Sequence, residues 1–221
     1  MSSIISKSVL EHKYGKEQVL VTPFISTYTV PDKYSPFSKE TIASLYDNWR
    51  FMLRCDAEYN MSVTQIIPYV LVIQENRSSV YVTERMAGEE RLSHALSLGA
   101  GGHINPVDTQ EGFAIVNGAI RELNEELDVK LANDGMLEYA GTVRDITSAT
   151  GEHLGVVFVA YAKSARVREK NTLKGKWMDF QDLMRNYSKF ESWARYIIDY
   201  MLLHGKNVDI VNGGKFNGKY H

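Results

Sequence analysis

The sequence predicts an α/β (α+β) protein in which helices cover a mixed β-sheet, preceded by a short N-terminal extension. Runs of β-branched and apolar residues, typical of strands, occur before and after one long amphipathic helix. A second amphipathic helix comes late in the chain. Strands interrupted by one mid-chain helix and one late helix favour a mixed sandwich over a doubly wound sheet.

The N-terminal part of the chain predicts one strand and one helix. Residues 17–27 alternate between apolar and polar side chains, which indicates a strand. Ser38 has the position of a helix N-cap before an amphipathic run that reaches about Arg54. We expect residues 1–61 to form an extension that packs on the core, where it restricts a pocket or makes a homodimer contact.

The core is expected to span residues 62–204. Residues 65–73 and 79–85 are apolar runs joined by a polar turn, which predicts a hairpin, and a glycine-rich loop follows. Further strands are predicted at 137–147, 154–163 and 177–180, and a helix at 188–203. The tail 205–221 is rich in Gly, Asn and Lys and is expected to be mobile.

The mid-chain helix carries an apolar stripe opposite an acidic face. Asp108 and Glu111 have capping-box spacing at its expected start. The stripe recurs at three- and four-residue spacing and comprises Phe113, Val116, Ile120, Leu123 and Leu127.

Composition indicates an ordinary globular protein. The chain has 221 residues, a formal charge of −2 and 44% hydrophobic residues. Near-neutral charge gives no electrostatic reason to expect nucleic acid or an anionic membrane as a partner. The single cysteine, Cys55, cannot form an internal disulfide. No signal peptide or membrane-spanning stretch is predicted, so a cytoplasmic location is expected.

The segment RELNEELDV, residues 121–129, is the strongest functional signal. It places Glu122, Glu125 and Glu126 on one helix face, where like charges repel unless a cation neutralises them. Mg²⁺ or Mn²⁺, which prefer oxygen ligands, would do so. The alternative is a solvated acidic face with an Arg121–Glu125 ion pair.

This segment resembles the second half of the Nudix hydrolase box, which reads Arg-Glu-apolar-any-Glu-Glu-any-Gly-apolar. Gly101 and Gly102 resemble the glycine pair at the end of the strand that leads into that box. The resemblance implies an α/β/α sandwich. The GGHINP loop and FESWARYI segment are similar to a bacterial branch of the family that has an N-terminal extension and is described mostly as hydrolases or phosphoesterases.

Three positions depart from the box. Phe113 stands where the family has a glutamate that braces the box arginine, and Glu111 is a substitute within one turn. The loop after Gly102 is longer than the standard spacing, so Val107 stands at the expected glycine. Asp128 replaces the closing glycine and tolerates the left-handed conformation expected at a helix end.

The resemblance implies a metal-dependent pyrophosphohydrolase that cleaves the diphosphate of a nucleoside diphosphate derivative or a related small phosphoanhydride. It makes Glu122, Glu125 and Glu126 the ligands of Mg²⁺ or Mn²⁺, with one of them a candidate general base. Arg121 would orient Glu122 or Glu125. A backbone carbonyl of Gly101 or Gly102 would complete the coordination.

Residues outside the box add candidates. Glu152, in the loop before a strand, is the candidate general base from outside the box, with an exposed turn residue as the alternative. His153 is a candidate proton shuttle and His103 a candidate phosphate contact. Arg85 and Arg91 are candidate phosphate ligands or ordinary surface arginines.

The late helix offers no catalytic group by its pattern. Glu191 is interpreted as a helix cap, with Ser188 at capping-box spacing. An apolar stripe at helical spacing is interpreted as core and comprises Trp193, Tyr196, Ile197 and Tyr200.

Two other functions remain open. Phe113 and the long loop also fit a nucleotide-binding or regulatory module that keeps the fold without useful catalysis. An isomerase or deacylating relative is the third option, because one fold hosts several chemistries.

Overall fold

The computed structural model describes residues 7–26, 29–46, 48–86, 95–110, 113–132, 136–147, 152–168 and 171–211. The helices in these ranges are α1 Lys7–Tyr14, α2 Lys39–Leu45, α3 Arg54–Ala57, α4 Ala114–Glu126, α5 Phe180–Arg185 and α6 Ser192–Leu203. The strands are β1 Gln18–Pro23, β2 Lys33–Pro36, β3 Arg50–Leu53, β4 Val63–Gln74, β5 Val80–Arg85, β6 Leu96–Ser97, β7 Gly99–Gly101, β8 Leu127–Leu131, β9 Glu138–Arg144, β10 His153–Val167 and β11 Leu173–Met178.

A mixed sheet forms the centre of the molecule. Its main path runs β11-β5-β4-β10-β9-β2, and β4 and β10 pair in parallel while their other neighbours are antiparallel. The register places His153 beside Gln65 at the start of the β4–β10 pair. The predicted mixed sheet is confirmed.

Two hydrophobic cores cover the two faces of this sheet. Alternate residues of β4 point to opposite faces, so Val70 belongs to one core and Leu71 to the other. Helix α4 packs on the first core through Ile115 and Leu123, and α6 packs on the second through Ile197 and its neighbours. The α/β/α sandwich explains why β4 is apolar from Ile66 to Ile73, since both of its faces are buried.

The N-terminal segment joins the same sheet. Strand β1 pairs with β4 on one side and with β3 on the other. Ser38 caps α2 as predicted, accepting a hydrogen bond from the Thr41 amide at 3.3 Å. The predicted helix to Arg54 is wrong in its second half, because α2 ends at Leu45 and residues 50–53 form β3. The predicted division of the chain into a 1–61 extension and a 62–204 core, and a homodimer contact made by that extension, stay predictions.

The chain after α6 differs from the predicted mobile tail. Val208 and Ile210 are buried in the core that α6 covers. Asp209 accepts hydrogen bonds from Arg77 and from Tyr161. Residues 208–211 are therefore packed, residues 205–207 are exposed, and residues 212–221 lie outside the described part of the chain.

Within the described residues, no helix is long and apolar enough to cross a membrane.

Candidate active site

The guanidinium of Arg121 organises the acidic face of α4. Its Nε and Nη2 donate to the two carboxylate oxygens of Asp108 at 2.9 and 3.0 Å. Its Nη1 donates to Glu122 at 2.8 Å and to Glu125 at 3.2 Å, and Nη2 also donates to the His103 carbonyl at 2.7 Å. These contacts match the five N–H donors of an arginine. Arg121 therefore fixes two box glutamates and the loop after the glycines together.

Asp108 is the brace of this arginine, a role that sequence reasoning missed. It lies in a 3-10 helix, Pro106–Thr109, and its carboxylate also accepts from the Asn105 amide at 2.8 Å. The predicted capping box of Asp108 and Glu111 is wrong in this respect, since Asp108 caps the 3-10 helix and α4 begins later. Glu111 lies outside the described residues. The sequence signal for this turn is Asn105-Pro106 followed closely by Asp108.

Phe113 occupies the N-cap position of α4 and makes no contact of the kind the missing glutamate would make. Its side chain lines a separate apolar pocket together with Tyr46 and Tyr139. Val107, at the expected glycine position, is exposed in the 3-10 helix. Asp128 lies in β8 without a positive φ, so the expected left-handed helix end is wrong.

Gly102 allows the carboxylate of Glu122 to lie directly against the backbone. A Cβ atom at Gly102 would be 2.5 Å from the Glu122 carboxylate, and one at Gly101 would be 2.4 Å from the Pro68 carbonyl oxygen. A side chain at position 101 would collide with backbone, and one at position 102 would displace the Glu122 carboxylate. Burial raises the pKa of Glu122, and the charge of Arg121 opposes that rise.

The three box glutamates differ in exposure. The side chain of Glu122 is 14% exposed, whereas that of Glu125 is 59% exposed and extends along the helix to Arg121. Glu122 and Glu126 line the same cleft. Carboxylate oxygens and the backbone of Gly102 are the ligands that Mg²⁺ and Mn²⁺ prefer, so the donor set fits such an ion.

The cleft has a volume of about 450 Å³ and contains both acidic and basic groups. Arg54 and Glu17, from the N-terminal segment, form part of its wall, and Arg85 and Trp193 lie at the junction with a narrower arm. That arm has a volume of about 140 Å³. Of the predicted phosphate ligands, the structure thus places Arg85 in the cleft, and Arg91 lies outside the described residues.

His103 and His153 face each other across the cleft wall. Their rings are edge to face with centroids 5.7 Å apart, and His103 Nε2 lies 3.0 Å from the buried Gln65 Oε1. Burial lowers the pKa of His103 well below its usual value, and the nearby Arg54 and His153 lower it further. His103 is therefore a neutral imidazole, which makes it a weak charge partner for phosphate.

Glu152, the predicted general base from outside the box, does not line the cleft. Its carboxylate pairs with the guanidinium of Arg144, and both side chains are buried. Arg144 also donates to the carbonyls of Ile25 and Val30. Alternation along the strand directs His153 into the cleft and Glu152 away from its lining. Catalysis by Glu152 stays a prediction, and this arrangement favours a structural role.

The start of α6 contributes to the narrow arm of the cleft. Glu191 accepts hydrogen bonds from Tyr69 at 2.9 Å and from Ser97 at 2.7 Å, and it makes no side-chain cap. Glu191 occupies the N-cap position of α6, as predicted, but its side chain bonds Tyr69 and Ser97 and does not cap the helix. Trp193 packs on the core as predicted, edge to face with Tyr69, and also lines the cleft.

Comparisons with known proteins identify relatives of this chain in sequence and in fold. No family model matches the sequence. Protein YmaB of Bacillus subtilis (strain 168) is 32% identical over 200 residues, which cover 83% of this chain and 96% of that protein. The crystal structure of Tm1382, a candidate Nudix hydrolase, matches with a TM-score of 0.70 and 26% identity, covering 85% of this chain and 100% of that chain.

Both matches extend into the N-terminal segment. Residues 62–221 are 160 of the 221 residues, or about 72% of the chain, which is less than the 83% and 85% covered. Part of residues 1–61 is therefore shared with these relatives, in keeping with the pairing of β1 and β4 in one sheet.

Proposed function

Because the chain belongs to the Nudix hydrolase family, whose enzymes act on phosphoanhydrides, we propose that it is a metal-dependent hydrolase of nucleoside diphosphate derivatives. The observation that carries this proposal is the Arg121 array. An arginine with all its donors engaged holds Glu122 and Glu125 beside a cleft, even though the box lacks its bracing glutamate. Asp108 supplies the missing carboxylate.

Glu122, Glu125 and Glu126 would hold Mg²⁺ or Mn²⁺, with a backbone carbonyl of Gly101 or Gly102. When bound, the ion supplies positive charge that neutralises the phosphate oxygens and favours attack at phosphorus. Burial raises the pKa of Glu122, and the charge of Arg121 opposes that rise, which favours the carboxylate form that a metal ion binds.

The reaction needs a water molecule, a leaving phosphate and a proton acceptor. Water attacks one phosphorus, a new P–O bond forms, and the bridging P–O bond breaks with the leaving phosphate carrying the electron pair. A box carboxylate accepts the proton of the water, since Glu152 does not line the cleft. Arg54 and Arg85 line the cleft and balance substrate charge.

The main evidence for the alternative function, a nucleotide-binding module without catalysis, does not hold in this structure. That reading rested on Phe113, which removes the glutamate that braces the box arginine. The bidentate pair of Asp108 and Arg121 performs the bracing from the extended loop instead. The long loop thus supplies a site residue.

The test is release of phosphate or nucleotide from a panel of nucleoside diphosphate derivatives and nucleoside triphosphates with Mg²⁺ or Mn²⁺. The double variant Glu125→Gln/Glu126→Gln should abolish turnover, and Glu75→Gln, an exposed glutamate in the β4–β5 turn, serves as the matched control. Turnover that survives in the double variant, or no turnover by the native chain on the whole panel, contradicts the proposal.

A further inference from the structure

We propose that Glu58, His103 and His153 form a second metal site, suited to a transition-metal ion such as Zn²⁺. One possible ligand atom from each residue lies within 4.8 Å of the other two. Two of the three, His103 and His153, line the same cleft as the box glutamates. This site does not depend on the proposed hydrolysis, because ion binding is measured directly.

The donor chemistry separates this site from the box. Two imidazoles and one carboxylate form a ligand set used for Zn²⁺, and the same set suits other first-row transition metals. The box offers oxygen donors alone, which suit Mg²⁺ and Mn²⁺. With three protein ligands, a tetrahedral ion keeps its fourth position for water or an anion. His103 and His153 direct that position towards the cleft.

A buried amide orients the first imidazole. His103 Nε2 lies 3.0 Å from Gln65 Oε1, so Nε2–H donates and Nδ1 carries the lone pair. Gln65 belongs to β4 and its side chain is fully buried, so packing restricts the orientation of its amide. A hydrogen bond from the second ring nitrogen to an oxygen is the usual support of a metal-binding histidine, since it sets the tautomer and the ring orientation.

The charges around the cluster also accommodate a dication. Arg54 lies beside the cluster, and it is paired with Glu17 at 3.1 Å and with Glu58 at 3.5 Å. Two carboxylates against one guanidinium leave this group with a net negative charge. The carboxylate of Glu58 is only 7% exposed, so water screens that charge poorly.

The cluster assembles from three distant parts of the chain. Glu58 follows α3 in the N-terminal segment, His103 follows β7, and His153 begins β10. Pairing of β1 with β3 and β4 brings the N-terminal segment to this edge of the sheet. The ion would therefore tie that segment to the core. The alternative is a polar cluster of these three side chains that binds no metal ion.

The test is calorimetric titration of the full chain with Zn²⁺ after treatment with a chelator, together with Co²⁺ absorption spectra. The variants are His153→Gln and Glu58→Gln. His204→Gln is the matched control, because His204 is exposed and stacks on Tyr200 outside the cleft. Glu125→Gln tests whether the ion lies in the box instead.

We expect one Zn²⁺ per native chain and a Co²⁺ spectrum with nitrogen ligands. His153→Gln and Glu58→Gln should each weaken Zn²⁺ binding by about 100-fold or more, whereas His204→Gln and Glu125→Gln should retain it. Thermal melting without metal verifies folding, and Glu58→Gln carries the test if His153→Gln does not fold. Unchanged affinity in both site variants, loss only in Glu125→Gln, or no binding by the native chain overturns the proposal.

Discussion

Two arginine–carboxylate pairs in this molecule have similar chemistry and different surroundings. Arg121 pairs with Asp108 at the cleft and retains 22% side-chain exposure, whereas Arg144 pairs with Glu152 and is 1% exposed. The other donors of Arg121 go to the box glutamates Glu122 and Glu125, of which Glu122 lines the cleft, and to the His103 carbonyl in the loop after the glycines. Those of Arg144 go to backbone carbonyls of the N-terminal segment.

The comparison shows that the remaining donors, more than the ion pair itself, distinguish a site arginine from a structural one. An arginine whose remaining hydrogen bonds all go to backbone carbonyls, such as Arg144, holds chain segments together. One that bonds other carboxylates sets the charge and position of groups that can meet a ligand. We therefore expect the Arg144 pair to govern stability and the Arg121 pair to govern activity.

The largest effect is expected from Arg144→Met. This change leaves Glu152 buried without its cation, which should lower the free energy of unfolding by about 3–5 kcal/mol. Urea denaturation followed by tryptophan fluorescence measures it. Arg166→Met is the control, because Arg166 is 77% exposed in its pair with Asp128 and should change stability by less than about 1 kcal/mol. A large loss of activity at unchanged stability would reverse the assignment of the two pairs.

Glu152→Gln separates the structural role of Glu152 from its predicted catalytic role. Removing the charged acceptor of Arg144 should destabilise the fold by about 1.5–3 kcal/mol. The kcat of the folded protein should remain within about tenfold, because the side chain does not line the cleft. Steady-state kinetics below the melting temperature measures this, and a general base would instead show a loss of about 10²–10⁴-fold in kcat.

The sequence predicted the parts of this comparison that are local on a helix. Arg121 and Glu125 are brought together by i, i+4 spacing on the helix, so their contact follows from the sequence. The contact of Arg121 with its neighbour Glu122 does not follow from that spacing, and the resemblance implied it as one of two choices. The position of Asp108 beside Arg121 depends on a 3-10 helix in the loop, which the sequence did not predict. The resemblance pointed to positions 111 and 113 for the bracing carboxylate.

The sequence does not show which of two adjacent residues at the start of β10 faces the cleft. Glu152 and His153 are adjacent, and only the register of β10 against β4 decides which of them faces the cleft. The predicted strand begins at residue 154, so strand alternation does not assign Glu152 or His153 to a face of the sheet. Likewise, nothing local in the N-terminal segment indicates that Glu58 lies beside His103, because strand pairing across the sheet brings them together.

Asp108→Asn tests the site half of the comparison. Arg121 would lose a charged bidentate acceptor and hold Glu122 and Glu125 less firmly, which should lower kcat/KM by about 10–100-fold. Kinetics with saturating Mn²⁺ and binding of Mn²⁺ alone measure the two consequences. Asp128→Asn, in an exposed ion pair with Arg166, is the matched control and should remain near native activity. Equal activity of both variants would remove Asp108 from the site.

The smallest effect is expected from Phe113→Glu, which restores the family's glutamate. Arg121 already uses its five N–H donors, so a new carboxylate finds none to accept from. The side chain at position 113 also lines the apolar pocket of Tyr46 and Tyr139, away from the cleft. Activity should stay within about twofold, and stability should fall by about 1 kcal/mol because a charge enters that pocket. The double variant Asp108→Asn/Phe113→Glu sharpens the result: it should be as impaired as Asp108→Asn alone, whereas recovery of kcat/KM would mean that the glutamate can reach Arg121 and that the brace has two interchangeable positions.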